Sequence, residues 1–107
     1  MATGRLGTAD LSAATITDVY TVPASTKTSV NVNVCNRNST QVKVRLAISD
    51  TTVTQGNDEY IEYDAVITGN GVLERTGLMM DATNKFLTAY SDTANVSVVV
   101  TGIEEAA

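Results

Sequence analysis

Apolar and polar residues alternate with a period of two along most of the chain. The clearest case is Ser29 to Ile48. Val30, Val32 and Val34 alternate with serine and asparagine, and Val42, Val44, Leu46 and Ile48 alternate with polar or small residues. Successive side chains of a strand point to opposite faces, so each valine series marks one buried face. The Asn-rich segment Cys35 to Thr40 lies between them and supplies turn chemistry, so this region reads as a half-buried hairpin.

The same pattern recurs on both sides. Thr15 to Val22 reads as a strand stopped by Pro23, which cannot donate to a ladder. Glu59 to Ile67 and Val72 to Leu78 are strands separated by Thr68-Gly69-Asn70-Gly71, the sharpest turn signal in the chain. Lys85 to Ser91 and Val96 to Ile103 follow, separated by the polar turn Asp92 to Asn95. No stretch carries the three-four spacing of an amphipathic helix. About seven to eight short strands with regular turns predict an all-β fold, an antiparallel β-sandwich of jelly-roll type. The expected organisation is an extended N-terminal arm over residues 1–13, one sandwich over 14–105, and a tail at 106–107 that ends an acidic run beginning at Glu104.

Composition narrows the function. The 107 residues include no Trp, no His, one Phe and four Tyr, so the core is built from aliphatic side chains. A formal net charge of −5 leaves no basic stripe for phosphates and repels an anionic bilayer, which argues against nucleic-acid and membrane partners. A single cysteine, Cys35, excludes an internal disulfide and reads as a small half-buried thiol. The first residues lack the apolar stretch of a secretory signal, so synthesis in a cytosol is expected, and the sequons at Asn38 and Asn95 read as chance matches.

Chemistry is sparse. Without histidine there is no Ser-His-Asp or Cys-His pair and no common zinc ligand. Glu62 and Asp64 fall on one face of a predicted strand, where a solvated face helped by Arg45 or Arg75 explains them better than a glycosidase pair. Asp50, Asn57, Asp58 and Glu59 offer oxygen ligands in one loop, but their spacing is not that of an EF-hand. No catalytic residue, cofactor or metal site is predicted. Tyr60, Tyr63 and Tyr90 can either stack on sugar rings or pack in a core or interface. In the N-terminal arm, Thr3, Arg5, Leu6 and Leu11 are the candidate partner-binding residues.

Several segments, in order, carry a resemblance. They include Val19-Tyr20-Thr21-Val22-Pro23-Ala24, Val30-Asn31-Val32-Asn33-Val34-Cys35-Asn36-Arg37 and Glu59-Tyr60-Ile61-Glu62-Tyr63-Asp64. Gly69-Asn70-Gly71-Val72-Leu73-Glu74-Arg75-Thr76-Gly77-Leu78 and Tyr90 to Val98 continue the series. Together they resemble small structural proteins of tailed-bacteriophage virions. The resemblance implies a β-sandwich component of the virion, made in the host bacterial cytoplasm and present in many copies, with no catalytic residues. The expected role is a capsid decoration or cement protein that binds as a homo-oligomer, a trimer at three-fold sites, to the major capsid or tail structural protein. The alternative is a tail, baseplate or fibre-associated protein with a carbohydrate- or receptor-binding role.

Overall fold

The computed structural model describes residues 2–52 and 54–107. Among them are eight strands and no helix: β1 (Thr3–Leu11), β2 (Thr17–Thr21), β3 (Thr26–Asn36), β4 (Val42–Ser49), β5 (Tyr60–Ile67), β6 (Val72–Asp81), β7 (Phe86–Ser91) and β8 (Val96–Ala106). They form two four-stranded sheets, ordered β1-β8-β3-β6 and β2-β7-β4-β5. Every pairing is antiparallel. This strand order is that of a jelly roll, the sandwich form expected from the alternation.

The alternating valines meet in the middle. Val30, Val32 and Val34 of β3 lie beside Val96, Val98 and Val100 of β8 on the inner face of one sheet. Val42, Val44 and Leu46 of β4, with Leu87 and Ala89 of β7, form the inner face of the other. All are essentially inaccessible to water. Burying a side chain of this size stabilises by roughly 1.5–3 kcal/mol. The core therefore holds without large aromatic rings, apart from Tyr20.

One expectation is corrected. Ser29 to Ile48 is not a hairpin, because β3 and β4 belong to opposite sheets. Period-two alternation says which face of a strand is buried and nothing about its partner, so a hairpin and an arch between sheets read alike. The arch is held by Asn36, which is fully buried. Its Nδ2 donates to the carbonyls of Thr40 (2.9 Å), Ile67 (3.2 Å) and Thr68 (3.0 Å). Its Oδ1 accepts from the backbone N–H of Asn38 at 2.9 Å. The Gly69-Asn70-Gly71 turn crosses between sheets in the same way. Gly69 sits so close to the other arch that a Cβ there would lie 2.2 Å from the carbonyl oxygen of Ser39.

The two flanks of the sandwich differ. Where β1 meets β2, a Cβ on Gly7 would lie 2.2 Å from the carbonyl oxygen of Val19, so the backbones close directly on one another. On the other flank, the edge strands β5 and β6 are not paired with each other. An ion pair between Glu62 and Arg75 spans the gap. Beside it runs an open groove of about 540 Å³, whose apolar wall is Ile48, Ile61, Met79 and Met80.

Candidate binding surfaces

The N-terminal segment is not an extended arm. Residues 3–11 are β1, paired with β8 from Thr3 opposite Ile103 to Leu11 opposite Val96. Of the four candidate partner-binding residues, Leu11 is 2% exposed and belongs to the protein's own core, and Leu6 packs half-buried against that core at a bulge. Thr3 and Arg5 remain exposed on an edge strand. The physical reason is that apolar residues spaced for docking on a neighbour are equally spaced for docking on the chain's own last strand. That strand also takes up the supposed acidic tail, since β8 runs to Ala106.

Glu104 has a structural task there. Its carboxylate accepts from the buried Tyr20 hydroxyl at 2.6 Å and from the backbone N–H of Ala2 at 3.1 Å. The hydrogen bond from Tyr20, then that from Ala2, holds the Glu104 carboxyl below its ordinary range. Burial, then the same contact, pushes the Tyr20 hydroxyl from 10.0 to about 12. The three groups form a clasp on the closed flank that ties β2 and β8 to the residue preceding β1.

The second sheet carries a more unusual surface on its outer face. In β5, Glu62 lies opposite Leu46 and Ala65 opposite Val44, so Tyr63 and Asp64 together face Arg45 across a bulge. Asp64 takes a left-handed backbone conformation, φ 53°, which aspartate tolerates better than most residues. This kink, which the sequence alternation does not reveal, separates Asp64 from Glu62. Glu62 turns to Arg75 on the open flank, and Asp64 turns to Arg45, so the two carboxylates do not share a face as expected.

Arg45 is then held on all sides. Its Nε donates to Asp64 Oδ1 at 2.7 Å and its Nη2 to Oδ2 at 3.3 Å. The guanidinium lies 4.2 Å from the ring centre of Tyr63 and 5.0 Å from that of Tyr90. Tyr60 meets Tyr63 edge to face, with ring centres 4.9 Å apart. The hydrogen bond to Asp64 raises the Arg45 pKa, and the same bond lowers that of Asp64, so both stay ionised and compensate each other near neutral pH. Beside the cluster, Ile16, Tyr60, Tyr90, Thr88 and Gln55 enclose a recess of about 50 Å³. Tyr63 does not line this recess and stays 59% exposed. The three tyrosines singled out in the sequence are thus brought together, around an arginine and an aspartate whose pairing the sequence only hinted at.

The loop with Asp50, Asn57, Asp58 and Glu59 closes on protein donors. Glu59 Oε1 accepts from Ser49 Oγ at 2.8 Å and from the Gly56 N–H at 2.6 Å. Among the described residues no group of three or more acidic or thiol ligands converges. Cys35 is a half-buried free thiol on β3. No known family model matches the chain, and no curated protein is similar to it.

Proposed function

We propose that the protein is a structural component of a tailed-phage virion, a capsid decoration protein that binds the assembled shell as a homo-oligomer, with a trimer as the expected form. The observation that carries this reading is the asymmetry of the sandwich. One flank is sealed by backbone contact, while the other sets Ile61 of β5 and Leu78 and the 69%-exposed Met79 of β6 along two edge strands that do not pair with each other. An exposed strand edge beside apolar side chains invites pairing with another chain. The jelly roll is one of the architectures used for capsid domains, which supports the reading by analogy of fold. The resemblance of its ordered segments to phage virion proteins supports it independently.

The mechanism is mass action. A subunit that binds the assembled shell but not its free parts shifts the equilibrium towards the shell. Quantitative mass spectrometry of washed, purified virions tests the reading. The expected result is copy numbers comparable with those of the major shell protein. A handful of copies per particle would move the protein to the tail, baseplate or fibre, and its absence from particles would overturn the reading.

A further inference from the structure

We propose that the Tyr63–Arg45–Asp64 surface is a binding site for a neutral, N-acetylated saccharide. The inference stands on the surface itself and does not depend on which assembly the protein joins.

Four features point the same way. Tyr63 offers an exposed ring on a rigid sheet, a platform for the apolar face of a sugar. Arg45 stacks over that ring at 4.2 Å and pairs bidentately with Asp64, so the pair presents donors and acceptors to vicinal hydroxyl groups next to the exposed aromatic surface. Because each charge is neutralised by the other, the site lacks the uncompensated cation that an acidic ligand or a phosphate needs. The bulge and the left-handed Asp64 hold this geometry in place before any ligand arrives, and such local strain concentrates at functional sites.

The recess beside the cluster, lined in part by Arg45, Tyr60 and Tyr90, narrows the class. At about 50 Å³ it admits a methyl-sized substituent and not a pyranose ring. Its apolar wall is Ile16 and the rings of Tyr60 and Tyr90, and Arg45, Thr88 and Gln55 bring polar groups. An acetamido group has this division of character. The ring would lie on Tyr63 with its N-acetyl group directed inward.

Titration of the full-length protein with chitotriose, maltotriose and sialyllactose, followed by calorimetry and by NMR of the tyrosine rings, tests the proposal. Saturable binding of chitotriose, tighter than that of maltotriose, is expected. Tyr63→Ala should weaken it by about tenfold or more while leaving the melting temperature near that of the parent, since the side chain is exposed. Asp64→Asn retains a residue that tolerates the backbone conformation and frees the Arg45 charge, so selectivity should shift towards sialyllactose. No saturable binding of chitotriose, equal binding in Tyr63→Ala, or a preference of the parent for sialyllactose would each overturn it.

Discussion

On one flank of the sandwich, β1 and β2 approach until Gly7 has no room for a side chain against the Val19 carbonyl; on the other, β5 and β6 stay apart and are bridged by Glu62 and Arg75. The closed flank is fastened a second time by the clasp of Tyr20, Glu104 and Ala2. The open flank leaves Met79 exposed and a groove accessible, with one wall of Ile48, Ile61, Met79 and Met80 and with Asp58, Glu59 and Asp81 also lining it. Both flanks end in edge strands of the same fold, so the difference lies in side-chain size. A glycine lets two backbones close, whereas long side chains at the opposite edge keep them apart and leave surface for another molecule.

The largest effect is expected where closure depends on the missing side chain. Gly7→Ala forces β1 and β2 apart and should cost about 2–4 kcal/mol, read from the urea midpoint at constant slope. A cost near zero would mean that the flank yields easily and the contrast is false. A smaller effect is expected from titrating the clasp. The folded Glu104 pKa lies below its unfolded value of 4.5, so its contribution is complete above 4.5 and is lost as pH falls through the folded value. The Tyr20 contribution is complete below 10 and is lost as pH rises towards 12. Melting temperature should therefore fall at both extremes. Glu104→Gln should flatten the acid limb and Tyr20→Phe the alkaline one; unchanged limbs in these variants would show that other groups govern both. The smallest effect on stability is expected on the open flank. Met79→Ser should shift unfolding by less than about 0.5 kcal/mol, yet weaken self-association in sedimentation experiments. Undiminished association would separate the groove from the oligomer interface.

Much of this was legible in the alternation and the rest was not, for definite reasons. The inward set Val30, Val32, Val34, Val42, Val44 and Leu46 follows from a period of two. Pairing does not, because neighbours across a sheet leave no local trace, and so β3 and β4 read as a hairpin. Bulges also escape. At Val19 and Tyr20 an irregularity buries both side chains and leaves Ile16 outside, and at Tyr63 and Asp64 another builds the aromatic cluster. The tyrosines of that cluster were visible as residues with a polar end. Their assembly around Arg45 depends on a single left-handed aspartate that interrupts no pattern of hydrophobicity. Leu11 and Glu104 were misread for a related reason: each lies near a terminus, where sequence position suggests fraying but strand pairing decides.

The place of the last strand has a consequence for how the molecule is made. β8 lies between β1 and β3, so β1 has no ladder to join until β8 has been made. β7 stands in the same relation to β2 and β4. Only the β3–β6 and β4–β5 pairs can form before β7 and β8 are made, so neither sheet is complete until then, and β1 and β2 wait unpaired. Messages truncated before codon 96 should yield chains that aggregate or are degraded rather than smaller stable domains.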